Sequence, residues 1–411
     1  MKSCSNFPSA RRPIRGWNKV LIVGFSITAL ALTACAAPEK GSGTEGATSS
    51  TTSDGPIKIG VNIELSGPAA VQGTAYKNAV QLVASQVNEE GLLGGRKIEL
   101  VIRDNKSDPT EALQVAKGMV ENDGVVAIVG GGSSPTTLST IDYVKRVGIP
   151  IVSMGSSDAI VNPAKERTFV FKTPAGAGMV VDVMLDRFKK SGTKSIGLIS
   201  VDNPYGEAGV QAFDDKAKAA GVKVVGSEKF QATDKDYTSI VTKLTSSQPD
   251  AIVVWAIPPG AGIVAKNITA SGFSGPVYYD PGAGAELFIR GAGEAANGSL
   301  LVHPAVLVSD QIEDAENLKE MRAFHKEYTA KYGEFSGFAS YAADGLGMIV
   351  QAIKDGGSAD RTAIRDALDK IHYVGVTGVY DMTPEDHGRL NPEALKVVTV
   401  TNGKWELVNG E

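Results

Sequence analysis

Val125-Val126-Ala127-Ile128-Val129-Gly130-Gly131-Gly132-Ser133-Ser134-Pro135 reads from left to right as a strand, a glycine turn and the start of a helix. A run of apolar residues without alternation suits a strand covered on both faces. The glycines let the backbone turn tightly, Ser134 is a good N-cap and Pro135 suits the first helical position, so a helix is expected over 136–147. Gly148 sits where that helix should end, and 149–153 is the next strand. A strand, crossover helix and strand in succession argue for a parallel sheet with helices on its faces.

The same rhythm extends in both directions. Short runs rich in β-branched residues at 57–63, 97–103, 168–172, 195–201, 222–230, 251–255, 277–279 and 299–303 alternate with stretches of helical period. Asp108-Pro109-Thr110-Glu111 reads as an N-cap with proline at the first helical position, starting a helix that runs through Asn122. Gly91, Gly124, Gly192 and Gly221 also fall where helices should end. Long helices over 312–332 and 338–355, then a shorter one over 361–370, break the rhythm. A last strand, 396–400, turns through Asn402-Gly403 into 405–408. The fold class is therefore α/β, with mainly parallel, doubly wound sheets.

The N-terminus has a different composition. Lys2, Arg11, Arg12, Arg15 and Lys19 precede the apolar stretch 20–32, and Thr33 and Ala34 are the small residues a signal peptidase needs. That stretch falls short of the roughly 20 apolar residues that span a bilayer. Residues 1–34 are expected to be an export signal, and Cys35 directly after them resembles the acylated first residue of a bacterial lipoprotein. Gly, Ser, Thr and Ala dominate 36–55, a solvated tether with an r.m.s. reach of roughly 25 Å. Without residues 1–34 about 377 residues of the 411 remain, more than one core usually organises, so two lobes are expected.

Five of the 41 Lys and Arg and none of the 46 Asp and Glu lie in residues 1–34, which leaves 36 basic against 46 acidic residues and a net charge near −10. Nothing in that balance asks for nucleic acid. Cys4 and Cys35 are the only cysteines, so the globular part has no thiol for a disulfide, a metal or nucleophilic catalysis.

A family resemblance covers essentially the whole of this globular part. It is carried by Ile63-Glu64-Leu65-Ser66-Gly67-Pro68, Val87-Asn88-Glu89-Glu90-Gly91-Leu92-Leu93-Gly94-Gly95-Arg96-Lys97-Ile98-Glu99-Leu100 and the stretch from Asp104 to Pro109. Gly130 to Ser134, Asn203-Pro204-Tyr205-Gly206-Glu207 and Tyr341-Ala342-Ala343-Asp344 extend it. In this order and spacing the motifs resemble the leucine/isoleucine/valine-type substrate-binding proteins of ABC importers, the type 1 periplasmic binding proteins. The resemblance implies two α/β lobes joined by three hinge crossings, near Thr173-Pro174, near Leu301 to Pro304 and between Tyr380 and Pro392. The lobes are expected as 56–173 with 302–383, and 174–301 with 384–411. It also implies an importer's permease and ATPase subunits as partners, with the protein itself a monomer.

Ligand in an open α/β sheet sits beyond the carboxyl ends of the strands. The loop 130–135 suits an anion, because free amides and a helix start lie there together, and Ser134 can serve as cap and ligand contact at once. In the resemblance the loop Ser153-Met154-Gly155-Ser156-Ser157-Asp158 offers a backbone group and a hydroxyl to the ligand's head group, which places those roles on Ser156 and Ser157, with Ser133 beside Ser134. Tyr205 matches a tyrosine that lines the cleft from the second lobe. Amino-acid binders of the family hold the ligand ammonium with an acidic residue in a loop like Tyr279-Asp280-Pro281-Gly282; here Pro281 takes that position and Asp280 comes one residue early. Gln72 replaces an aromatic wall residue, and Ile257-Pro258-Pro259 a tyrosine-rich stretch.

Catalysis finds little support. No Gly-x-Ser-x-Gly, His-Glu-x-x-His or phosphate-loop motif occurs. The four histidines, His303, His325, His372 and His387, have no metal-ligand spacing, and Glu64 and Asp104 are carboxylates near strand ends without an evident second group. A sensor ectodomain is the remaining class of binder. The expectation is a lipid-anchored extracytoplasmic component of an importer, not an enzyme, without metal or cofactor. Its ligand is a small carboxylate, a branched-chain or other amino acid first and an aliphatic or aromatic acid lacking the ammonium second.

Overall fold

A computed structural model describes residues 55–408; the expected export signal, Cys35 and all but the last residue of the expected tether lie outside the described residues. The strands β1 (Ile57–Ile63), β2 (Ile98–Asp104), β3 (Ala127–Gly130), β4 (Ile151–Ser153) and β5 (Val170–Lys172) form a parallel sheet ordered β2-β1-β3-β4-β5. The next five, β6 (Ser195–Val201), β7 (Lys223–Phe230), β8 (Ala251–Trp255), β9 (Val277–Tyr279) and β10 (Leu300–Pro304), repeat that order as β7-β6-β8-β9-β10, again parallel. A hairpin, β11 (His372–Val374) with β12 (Val379–Asp381), stands apart. Finally β13 (Leu395–Thr401) and β14 (Lys404–Leu407) add antiparallel to β10.

Both lobes are thus doubly wound. The adjacent pairs Val61 and Asn62 in the first sheet and Ile252 and Val253 in the second, which point to opposite faces, are all buried, as strands covered on both faces should be. Helix Ala70–Glu90 packs on helix Phe338–Gly356, which also touches β3 and β4, so the chain returns to the first lobe after building most of the second. It then leaves again for β13. The polypeptide therefore crosses between lobes three times: after β5, after β10 and between β12 and β13.

Strand limits shift where a helix end intervenes. The Val125 amide bonds to the Met119 carbonyl at 3.2 Å and the Ile149 amide to Val144 at 3.0 Å, so pairing begins two residues into each apolar run. These are helix-terminating bonds that satisfy the last free carbonyls, and Gly148 with φ 64° closes the second helix in left-handed geometry. β10 continues to Pro304 in the second sheet, beyond residue 301. The His387 carbonyl accepts from the Lys172 amide at 3.0 Å, so the chain beyond residue 384 still lies along β5.

Two expected helices are corrected. The helix expected over 136–147 is two pieces, Ser134–Leu138 and Ile141–Val147. The hydroxyls of Ser139 and Thr140 bond to the carbonyls of Thr136 and Thr137 at 2.9 and 2.8 Å, and such side-chain bonds compete with helix continuation. The helix expected from residue 312 starts at Leu318, because Arg322 holds the carbonyls of Ser309 and Ile312 and Asn317 bonds to Gly375 and Val376.

Candidate ligand-binding cleft

In a sheet ordered 2-1-3-4-5 the crevice opens where strand order reverses, between the first strand and the third. That point is β1/β3 in one lobe and β6/β8 in the other, and a single cleft of about 1010 Å³, counted out to its open mouth, is lined from both. Ser133, Ser134 and Pro135 follow β3, Met154 to Ser156 follow β4, Tyr205 follows β6, and Asp280 follows β9.

At the loop after β3 the cap shifts by one residue from the expected place. Ser133 has the extended cap conformation, and Ser134 and Pro135 are the first two helical residues. The helix is only five residues long, so its dipole is short and an anion there would depend on individual hydroxyls and amides. Gly131 donates its amide to the Asn62 carbonyl at 2.9 Å and Ser133 to Glu64 Oε1 at 3.1 Å, while the amides of Ser134 and Ser156 have no partner among the described residues. The Ser134 hydroxyl accepts the Ser157 amide at 3.1 Å, which leaves its own proton available. Ser133 Oγ lies 2.8 Å from Thr136 Oγ1.

Beneath this loop Glu64 is fully buried. Its Oε1 accepts from Thr136 Oγ1 at 2.6 Å and from Asn105 Nδ2 at 3.3 Å as well as from Ser133, its Oε2 has no partner among the described residues, and burial pushes its carboxyl above the ordinary value. Glu64 braces the loop from behind and does not line the cleft. Asp104 binds the amides of Leu65, Ser66 and Lys106 and so shapes the turn after β1.

Ser156 lines the cleft and Ser157 does not; the part Ser157 plays is its amide bond to Ser134. The loop is held by Lys172, whose ammonium, 2 % exposed, donates to the Ser156 carbonyl at 2.9 Å and to Asp158 Oδ1 at 3.1 Å. Lys172 escapes a motif search, although a lysine closing an apolar strand is itself a signal.

The second lobe contributes one carboxylate. Asp280 caps the short turn Pro281–Ala283, with Oδ1 accepting from the Ala256 amide at 2.9 Å and Oδ2 from the Gly282 amide at 2.9 Å. The Tyr205 hydroxyl also donates to Oδ2. Asn203 caps helix Pro204–Lys216, its Oδ1 accepting the Tyr205 amide at 2.9 Å, and so fixes Tyr205 in the first turn. Asp280 lines the cleft yet is only 1 % exposed, and burial pushes its carboxyl up to about 8 against the pull of those two amides. No lysine, arginine or histidine lines the cleft among the described residues.

Gln72, in the first turn of helix Ala70–Glu90, lines the cleft on the first-lobe side. The sequence reading leaves out the aromatic wall. Tyr76 meets Phe338 edge-on at 6.1 Å and donates to the Gly132 carbonyl, Trp255 lies 6.1 Å from Tyr205, and Tyr341 completes the set. Among the described residues no cluster of potential ligands could hold a metal ion, and no helix is long and apolar enough to cross a membrane.

Known proteins share this architecture. The model of the periplasmic binding protein family matches residues 56–404. The leucine-, isoleucine-, valine-, threonine- and alanine-binding protein of Pseudomonas aeruginosa is 25% identical over 317 residues, covering 76% of this chain and 82% of its own. An extracellular ligand-binding receptor from Rhodopseudomonas palustris HaA2 superposes with a TM-score of 0.81 at 27% identity, over 86% of this chain and 100% of its own. The branched-chain amino acid transporter substrate binding protein of Streptococcus pneumoniae, solved with isoleucine, gives 0.75 at 28% identity, over 86% and 99%.

Proposed function

Because the chain belongs to the periplasmic binding protein family, we propose that it is the extracytoplasmic solute-binding component of an ABC importer. It holds a small carboxylate-bearing ligand in the cleft and hands it to the permease, without chemistry on the ligand. One observation carries this reading: hydroxyls and partnerless amides of Ser134 and Ser156 face, across one cleft, a single buried carboxylate on Asp280. An amino acid has the matching pair of charges. The names of the Pseudomonas relative and the isoleucine complex point the same way. On this reading 56–173 and the returning helices act as one jaw, the remainder as the other, and Cys35 carries the lipid that keeps the monomer at the membrane.

A second reading rests on the same carboxyl. With its pKa near 8, Asp280 is mostly protonated at neutral pH until a cation arrives, so a carboxylate without an ammonium would meet no repulsion. The two readings differ in sign. An amino acid requires ionised Asp280, so its affinity rises with pH up to about 8, whereas a des-amino acid requires the protonated form and weakens above about 8. A thermal-shift screen of both classes, followed by titration calorimetry from pH 6 to 9, separates them; a ligand at 100 times its Kd stabilises by about 2.7 kcal/mol. Failure of every amino acid and des-amino acid to stabilise the protein would overturn the proposal.

A further inference from the structure

Two residues that line the cleft each carry a side-chain polar atom that is sealed from solvent and has no partner among the described residues. Gln72 is 7 % exposed and its Oε1 accepts nothing; Trp255 is 4 % exposed and its Nε1 donates to nothing. Both residues line the cleft, one from the first lobe and one from the second, in a wall otherwise made by groups such as Met154, Val180, Ile257 and Phe338. A buried donor or acceptor left unmet is costly, and native interiors rarely keep one without a use. We infer that the ligand carries, apart from its carboxylate, an uncharged hydrogen-bonding group that meets Gln72 and Trp255 from opposite walls.

The donor inventory narrows the group. An indole only donates, and Oε1 of a carboxamide only accepts. The ligand group must therefore accept from Trp255 and donate to Gln72. A hydroxyl or a carboxamide does both, a hydrocarbon neither, an ammonium only the second and a carboxylate only the first. Because the two atoms belong to different lobes, a ligand with such a group also ties the jaws together, which a purely aliphatic side chain cannot do by hydrogen bonds. The ligand class is then a hydroxy- or carboxamide-bearing carboxylate.

This inference rests on the carboxylate reading of the cleft, and near-isosteric pairs separate the two. Titration calorimetry on the wild-type protein compares threonine with valine, asparagine with leucine, and 3-hydroxybenzoate with 3-methylbenzoate. The polar member of at least one pair is expected to bind about tenfold tighter or better. Gln72→Leu, of similar volume, is expected to abolish or reverse that ratio while far-UV circular dichroism stays unchanged. Trp255→Phe is the second variant and should erode the same preference. Apolar members that bind as tightly as polar ones in the wild type, or a ratio unchanged in both variants, overturn the inference and leave the carboxylate reading standing. Absence of binding by all six probes overturns the inference, and the carboxylate reading falls with it only when the full screen of amino acids and des-amino acids is also negative.

Discussion

Tyr205 and Asp280, 75 residues apart in the chain, meet through one hydrogen bond in which the phenol donates to Oδ2 of the carboxylate. The phenol stabilises the charged form of a group that burial drives toward neutrality. Tyr205→Phe removes the donor and keeps the ring. It is expected to move the midpoint of the ligand-affinity profile upward by about one pH unit, equivalent to about 1.4 kcal/mol, as read by calorimetry over pH 6 to 10. An unmoved midpoint would show that Asp280 is not the group that titrates.

Ser134 and Ser157 should separate sharply. Ser134→Ala deletes a hydroxyl at the cleft and leaves the Ser157 amide without its acceptor, so affinity is expected to fall by about 1 to 3 kcal/mol, roughly 5- to 150-fold. Ser157→Ala keeps the amide that matters and should change Kd less than threefold by the same measurement.

Lys172 acts at a distance from the ligand. Replacing it with methionine removes the donor to the Ser156 carbonyl and leaves Asp158, whose side chain is 46% exposed, to be solvated. Because that partner is screened by water, the loss of unfolding free energy is expected to be about 2 kcal/mol, short of the cost of stranding a fully buried charge. Urea denaturation measures it. Ligand affinity should weaken in parallel as the Ser156 loop loses its anchor.

Asp344 makes stability depend on pH. It lies buried between the crossings, accepting from the amides of Val376 and Thr377 at 2.6 and 2.8 Å and from Tyr380, which also donates to the Thr173 carbonyl. Burial raises its carboxyl from 3.8 to about 6. The unfolded chain therefore ionises first, so the stability this group contributes is full below about pH 4 and is lost as pH rises toward 6, by about 3 kcal/mol at most. Above 6 this group adds no further slope. Asp344→Asn is expected to make the fall shallower in urea melts between pH 4 and 6, the slope that remains coming from Asp280, whose carboxyl burial raises from 3.8 to about 8.

Much of this was legible because loops at strand ends advertise themselves. Ser134, Ser156, Tyr205 and Asp280 all stand just beyond apolar runs, where glycine, serine and proline mark the turn, and all four line the cleft. Trp255 closes a strand whose five residues are all buried, while Tyr76, Phe338 and Tyr341 sit in helices. A large aromatic there has the same pattern whether it faces a core or a cavity, so the wall could not be told from packing. The hairpin β11–β12 has only three residues per strand, too few for periodicity to register, although Gly375 and Gly378 mark its turn. The break at Ser139-Thr140 depends on where hydroxyls point, which composition does not encode.

The triple connection has a consequence for how the gene can be cut. Neither jaw corresponds to one continuous stretch of coding sequence, and an N-terminal fragment stopping at residue 173 would lack the helix Phe338–Gly356 that roofs its sheet. Such a fragment would present a bare oily face to water and clump. A protease that nicks the intact protein at one connection leaves two others, so the halves should travel together through a sizing column until denaturant parts them.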